Sequence, residues 1–129
     1  MSDEEQIRRL LARFVQLRDD KRFEEWVELF TEHGSFSYGS VELDGRAAIR
    51  AHVAQLLATD AGKHLCINSL IEVDGDRATV SSDFAKLDPE PGTSAFVIGT
   101  AGRYLDDLVR TSAGWRIARR RVEIAGRTG

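Results

Sequence analysis

Apolar residues recur at three- and four-residue spacing in the first half of the chain, which is typical of helices that bury one face. The pattern predicts a first helix over residues 4–18, a second over about 22–30 and a third that follows Asp44-Gly45. Ser2 or Asp3 can cap the first helix. The expected buried residues are Ile7, Leu10, Leu11, Phe14 and Leu17, then Phe23, Trp26, Val27 and Phe30, then Ala48, Ile49, Val53, Leu56 and Leu57.

The other segments alternate in polarity with a period of two, which predicts strands. A turn at 31–34 leads into a strand over Ser35–Val41. From residue 63, one face is expected to carry His64, Cys66, Asn68 and Leu70, and the other Leu65, Ile67 and Ser69. Further strands are expected from Arg77 to about Lys86, over Ala95–Arg110 and over Trp115–Ile124, with a hairpin turn at Asp74-Gly75, a loop over 88–92 and a loose tail over 125–129.

This order of elements predicts an α+β fold, because the helices are separated from a meander of antiparallel strands. Gly99 and Gly102 lie inside the longest predicted strand, where they indicate bulges or a sharp bend. A strongly curved sheet covered by helices on one face would enclose a pocket suited to a small molecule. The chain is expected to form a single domain over residues 1–129.

Composition limits the classes of function. Of 129 residues, 42% are hydrophobic and 30% charged, with a net charge of −3, as in soluble globular proteins. The acidity argues against a nucleic-acid partner, and neither a signal peptide nor a membrane span is recognisable. The single cysteine, Cys66, excludes an intrachain disulfide and fits a cytoplasmic location. A solvated sheet face explains the basic run Arg116, Arg119, Arg120 and Arg121.

His64 is the first candidate for chemistry. A neutral imidazole accepts a proton near physiological pH, and a carboxylate on its other nitrogen orients it. Its alternative is a core histidine. Helix geometry puts Arg18 inside the apolar stripe of the first helix and Asp19 about 100° away, so either can face a pocket. His33 and His52 form no metal-binding pattern with His64, and no phosphate-binding loop is present, so neither metal nor cofactor is expected.

Several stretches together resemble the nuclear transport factor 2-like (SnoaL-like) superfamily. They are Leu17–Phe30, Asp44–Ile49, Gly62–Asn68, Gly102–Thr111 and Gly114–Ile117, and in order they span nearly the whole chain. The resemblance implies a cone-shaped α+β barrel whose helices and curved sheet enclose a pocket. It is fairly specific for the fold and less specific for activity.

The resemblance also implies roles for particular residues. The pattern is similar to scytalone dehydratase, the bile acid 7α-dehydratases and the hexachlorocyclohexane dehydrochlorinases, which are cofactor-free lyases. It implies that His64 is the general base, that Asp19 orients it and that Tyr38 polarises a carbonyl. Arg110 matches a pocket arginine of the dehydrochlorinases. Arg18 replaces a tyrosine of scytalone dehydratase, and no second histidine stands near Leu87 or Asp88, so scytalone itself is not the expected substrate.

The resulting hypothesis is a dehydratase-type lyase acting on a small polar molecule, cyclic or polyketide-like. Tyr38, Asn68, Arg110 and Arg18 are the candidate substrate-binding residues. Two alternatives remain open. The first is an isomerase or cyclase that uses Asp19 as proton shuttle, as the ketosteroid isomerases use a carboxylate on this scaffold. The second is a non-catalytic module for ligand binding or dimerisation. In each case the chain is expected to form a homodimer or a higher homo-oligomer, with the outer sheet face as the pairing surface.

Overall fold

The computed structural model describes residues 1–127, apart from the side chain of Leu57. Ser2 caps the first helix, because its side chain accepts a hydrogen bond from the backbone amide of Glu5 at 3.1 Å. The elements are α1 (Asp3–Asp19), α2 (Phe23–Val27), β1 (Phe30–Tyr38), β2 (Val41–Asp44), α3 (Arg46–Leu57), β3 (Lys63–Asp74), β4 (Arg77–Pro89), β5 (Phe96–Thr111) and β6 (Gly114–Arg127).

The strands form one six-stranded sheet in the order β2-β1-β6-β5-β4-β3. Neighbouring strands are antiparallel except β1 and β6, which are parallel. Helix α3 joins one edge strand to the other, and three hairpins then bring the chain back to β1. The predicted α+β class with helices packed on the sheet is confirmed, while the expectation of a purely antiparallel sheet is wrong at this one pairing.

The segment after α2 differs most from the sequence-based prediction. Helix α2 ends at Val27, and residues 30–34, assigned to helix and turn, begin β1. The apolar spacing of this segment fits a helix, but its backbone pairs with β6: the amide of Ile117 donates to the carbonyl of Leu29 at 2.8 Å. Sheet pairing therefore overrides the local pattern. The short strand β2 was not predicted, and 125–127 belong to β6 rather than to a loose tail.

The hydrophobic core fills one end of the concave face of the sheet. Trp26 and Phe30 are fully buried there, with ring centroids 5.5 Å apart, and Phe14 packs on Trp26 at 5.2 Å. Of the predicted stripe on α3, Ile49 and Val53 are buried, whereas Ala48 and Leu56 are exposed and the side chain of Leu57 lies outside the description. Phe96, at the start of β5, is exposed.

The pairing of β5 is irregular at Gly99 and Gly102, where the sequence predicted bulges or a sharp bend. Gly99 is unpaired in the ladder between β4 and β5, where Lys86 pairs with Thr100 and Leu87 with Ile98. The register with β6 shifts between Ala101 and Gly102. A Cβ at Gly102 would lie 2.0 Å from a β6 carbonyl oxygen, so only glycine fits. The other end of the concave face thus stays open. Among residues 1–127, no helix is long and apolar enough to span a membrane.

Candidate functional site

A cavity of about 360 Å³ occupies the open end of the concave face. The strands that bury the core at one end line this cavity at the other. Its apolar wall includes Phe14, Phe36, Val53, Phe84, Val122 and Ile124. Its polar lining consists of Arg18, Tyr38, Asp60, His64, Lys86, Thr100, Tyr104 and Arg127.

His64 and Asp19 meet beside this cavity. The Nδ1 atom of His64 lies 2.6 Å from Oδ1 of Asp19, and the backbone amide of His64 donates to Oδ2 at 2.7 Å. Both side chains are largely buried, with 6% and 11% of their surfaces exposed. Because a carboxylate only accepts, the neutral ring carries its proton on Nδ1 and leaves the lone pair on Nε2.

The end of α1 delivers two successive side chains to His64. The amide of Lys21 donates to the carbonyl of Arg18 at 3.0 Å, and that of Arg22 to Leu17 at 2.9 Å. This is a Schellman motif, and Lys21 takes the left-handed conformation at φ 60° where glycine is more common. The motif ends the helix sharply after Asp19, so that the next residues do not cover His64.

Arg18 lies against the cavity side of His64. Its Nη1 atom contacts both ring nitrogens, Nδ1 at 3.0 Å and Nε2 more closely. Both Arg18 and Asp19 therefore face the site. Asp19 holds one ring nitrogen of His64, and Arg18 covers the side of the ring that lines the cavity.

The surroundings favour a neutral imidazole. Burial lowers the pKa of His64 below its ordinary value, and the charge of Arg18 acts in the same direction. The hydrogen bond to Asp19 opposes this shift without reversing it. A buried, neutral and oriented imidazole at a cavity wall has the properties of a general base.

Tyr38 lines the cavity and has a partner that sequence reasoning missed. Its hydroxyl lies 2.6 Å from Nε2 of His52 on α3, and burial raises the pKa of Tyr38. From the sequence, His52 was a candidate only for metal binding, which its spacing did not support. No periodic signal links the two, since the β2 hairpin between them sets their distance.

Asn68 and Arg110 lie outside the cavity lining. Asn68 adopts φ 53° at a bulge in β3, so alternation breaks there and the side chain is exposed, donating to Asp83 at 3.3 Å. The expectation that Asn68 shares a face with His64 is wrong for this reason. Arg110 binds Asp3 at 2.7 Å. Asp3 is the first residue of α1. At a rise of 1.5 Å per residue, it lies about 24 Å from Asp19 at the other end of that helix.

Five further charged or polar residues line the cavity and were not singled out from the sequence: Asp60, Lys86, Thr100, Tyr104 and Arg127. Lys86 lies 3.0 Å from Asp60 and 2.9 Å from Asp88. Burial opposes the charge of Lys86, but these two carboxylates raise its pKa overall. Tyr104 stacks on Phe84 at 4.3 Å between ring centroids, and burial raises its pKa to about 12.

Beneath the cavity lies a buried ion pair that corrects the expected solvated basic face. Arg120 is fully buried and donates to Asp106 at 2.7 and 2.8 Å. Its guanidinium lies over the rings of both Phe14 and Tyr104, 3.8 and 4.0 Å from their centroids. Only Arg119 and Arg121 of the basic run are exposed on the outer face, and Arg116 is half-buried.

Within the described part of the chain, no three His, Cys, Asp or Glu side chains are grouped to hold a metal ion.

Comparisons with known proteins agree with this architecture. The family described as a SnoaL-like domain matches residues 1–121. An uncharacterized Mycobacterium tuberculosis protein, Rv2910c, is 33% identical over 125 residues, covering 93% of this chain and 84% of that protein.

Solved structures give the same picture. Rv3472, of unknown function and also from Mycobacterium tuberculosis, is 32% identical with a TM-score of 0.86, over 92% of this chain and 69% of that chain. An NTF2-like protein with a cystatin-like fold from Novosphingobium aromaticivorans is 30% identical with a TM-score of 0.88, over 98% and 84%. A putative scytalone dehydratase from the same organism is 23% identical with a TM-score of 0.84, over 97% and 85%, and supports the fold alone.

Proposed function

We propose that this chain, which belongs to the SnoaL-like domain family, is a cofactor-independent lyase that catalyses a dehydratase-type elimination. The family includes polyketide cyclases and dehydratases. One observation carries the proposal: a buried histidine, held by a carboxylate through one ring nitrogen, lines a cavity with the other side of its ring.

The proposed reaction begins at His64. Its Nε2 takes a proton from a carbon next to a carbonyl, and Asp19 stabilises the imidazolium that forms. The electron pair of the broken C–H bond first resides on the carbonyl oxygen as an enolate. It then forms the carbon–carbon double bond as the β-hydroxyl leaves, and the hydroxyl departs as water with the proton that His64 took up.

Tyr38 and Arg18 are the proposed partners of the developing enolate oxygen. Both line the same cavity as His64, the first as a hydroxyl donor and the second as a cation. The hydroxyl of Tyr104 also lines the cavity and has no hydrogen-bond partner among residues 1–127, so we add it to the proposed binding set. Asn68 and Arg110 are left out of this set because of their positions.

The cavity suits a small cyclic or polyketide-like substrate. A volume of about 360 Å³ lies at the lower end of the range for ligand sites. Aromatic side chains such as Phe36 and Phe84 form its wall, and the polar groups are few and separate. A flat ring with one or two oxygens fits this combination better than a long chain does.

Asp19 is less suited to act alone as proton shuttle. Both of its oxygens are bonded to His64, one to the ring and one to the backbone amide. This favours the lyase over an isomerase or cyclase in which the carboxylate itself touches the substrate.

Proton abstraction can be measured without knowing the natural substrate. A panel of cyclic β-hydroxy ketones, each with a ring carboxylate and each measured beside its neutral amide, is followed in deuterium oxide by mass spectrometry for deuterium uptake and for loss of water. We expect turnover of at least one member, and a loss of at least about 100-fold in His64→Gln. His33→Gln, which replaces an exposed histidine, is the matched control and should keep full activity. Full activity in His64→Gln would refute the base assignment.

We also propose that two copies pair through the outer sheet face, as expected from the sequence. Large apolar side chains are exposed on β3, with Leu65 at 39%, Ile67 at 50% and Leu70 at 72%. Such a surface on a monomer is costly in water. Light scattering should give twice the chain mass, and a monomer at micromolar concentration would contradict the pairing. The cytoplasmic location expected from the sequence stays a prediction.

A further inference from the structure

Arg18 is half-buried at the cavity wall and differs from two nearby cations, Lys86 and Arg120, in having no carboxylate partner. Lys86 is paired with Asp60 and Asp88, and Arg120 with Asp106. Among the described residues, Arg18 forms no ion pair, and its side-chain hydrogen bonds run only to the ring of His64. The partner of Arg18 is thus a neutral imidazole, whereas the partners of Lys86 and Arg120 are carboxylates.

The environment of this guanidinium disfavours its charge. Burial lowers the pKa of Arg18, and the nearby Arg120 adds to the effect, while Tyr104, Asp19 and Asp60 act against it from a distance. The group stays charged at neutral pH nonetheless, because a guanidinium is too weak an acid to lose its proton in a protein. A partly buried charge without a paired acid is unfavourable, and a bound anion would remove that penalty.

The position of Arg18 links its charge to the proposed base. Only Nη1 is engaged, so the remaining N–H donors of the fork are free to bind a carboxylate in bidentate fashion. The same Nη1 contacts Nε2 of His64, the atom that would accept the substrate proton. Arg18 and a substrate C–H cannot occupy that place together.

We propose that the cavity selects small cyclic substrates that carry a carboxylate or another oxygen anion, and that this anion draws Arg18 away from His64. The inference deepens the proposed function by naming its substrate class, and its second half rests on that function. A neutral molecule of the same shape leaves the guanidinium on the ring and the base covered.

Other cations at the cavity do not replace Arg18 in this role. Lys86 already has two carboxylates, so an incoming anion would compete with both of them. Arg127 lies at the end of β6 and is exposed, where its charge is hydrated and screened. Arg18 is the cation that combines partial burial, a position on the cavity wall and contact with His64.

Calorimetry with two isosteric probes tests the binding half. Benzoate should bind the wild-type protein at least tenfold more tightly than benzamide, and Arg18→Met should abolish this preference. Arg13→Met is the matched control, because Arg13 is exposed on the same helix, and it should keep the preference. Arg18→Gln is measured beside Arg18→Met, with thermal melts of both, so that one misfolded variant does not decide the result.

Nitrogen NMR of the imidazole tests the uncovering of the base. Benzoate should shift the Nε2 resonance of His64 in the wild type, and benzamide should leave it unchanged. Equal binding of the two probes, a preference that survives in folded Arg18 variants, or an unmoved Nε2 resonance at saturating benzoate would overturn the proposal. Benzoate selectivity without any deuterium exchange would refute the lyase while leaving the anion site in place, so the two failures are distinguishable.

Discussion

His64 and Asp19 are joined by two hydrogen bonds, one from the ring at 2.6 Å and one from the backbone amide at 2.7 Å. The pair connects the last residue of α1 to the second residue of β3. One carboxylate therefore fixes both the position of the strand and the orientation of the ring it carries. This double attachment makes the imidazole rigid before any ligand binds, which is what a proton-transfer step requires.

Replacing Asp19 with Asn should impair proton abstraction without unfolding the protein. The amide can donate to Nδ1 and so place the ring proton on Nε2, where a base needs a lone pair. We expect deuterium exchange to fall by roughly 10²- to 10⁴-fold, with an unchanged circular dichroism spectrum. Asp20→Asn alters the exposed neighbour and should behave as the wild type. Equal loss in both variants would point to a general effect on the helix end.

The lowered pKa of His64 predicts a defined pH dependence of stability. An unfolded histidine takes up a proton near pH 6.5, whereas the buried ring resists until the pH is lower. Stability is therefore greatest above about pH 6.5 and is lost as the pH falls toward the folded pKa, with a slope of at most about 1.4 kcal/mol per pH unit.

Urea unfolding from pH 8 to pH 5 measures this effect. His64→Gln should show a smaller loss over that range, while His33→Gln should follow the wild type. Exchange activity should likewise be flat above about pH 6.5 and fall only below it, since the base must be neutral. Parallel curves of stability against pH for His64→Gln and the wild type would contradict the lowered pKa of His64.

Removing one partner of the buried Arg120–Asp106 pair should destabilise the protein, whereas replacing both partners with apolar residues should cost much less. Arg120→Met leaves a carboxylate without its partner in the core, which costs about 3–5 kcal/mol of unfolding free energy. The double variant Arg120→Met with Asp106→Leu removes both charges and should recover most of that loss. Chemical denaturation checks both values. A double variant as unstable as the single one would show that shape rather than charge dominates.

Lys21→Gly should stabilise the fold. Lys21 has φ 60°, a conformation that costs most residues about 1 kcal/mol and glycine almost nothing. The hydrogen bond from its backbone amide to the carbonyl of Arg18 does not involve the side chain and survives the change. We expect a gain of about 0.5–1 kcal/mol in unfolding free energy, and a melting temperature at or below that of the wild type would contradict it.

The sequence predicted the elements that bury long apolar stripes and failed where pairing or backbone conformation overrides periodicity. Helix α1 matches because its stripe and its cap agree. The alternation of β3 holds at His64 and breaks at Asn68, since a positive φ in asparagine leaves no trace in a polarity pattern. Strand β2, with four residues, is too short for its period to be recognised.

The site shows the same division. Family resemblance brought His64 and Asp19 forward, and helix geometry brought Arg18, and the structure places all three in contact. Arg120 stood in a run of arginines that looked uniformly solvated, because the register that sets it opposite Asp106 depends on a bulge at Ala118 of β6. Pairings between side chains of different elements come from tertiary geometry, which single-sequence patterns do not contain.

Nitrogen NMR of the His64 ring in the free protein measures the tautomer on which the proposed base depends. We expect a neutral ring at pH 7.5 with the proton on Nδ1 and an unprotonated Nε2, and this tautomer should disappear in Asp19→Asn. A ring protonated on Nε2, or an imidazolium at that pH, would contradict it.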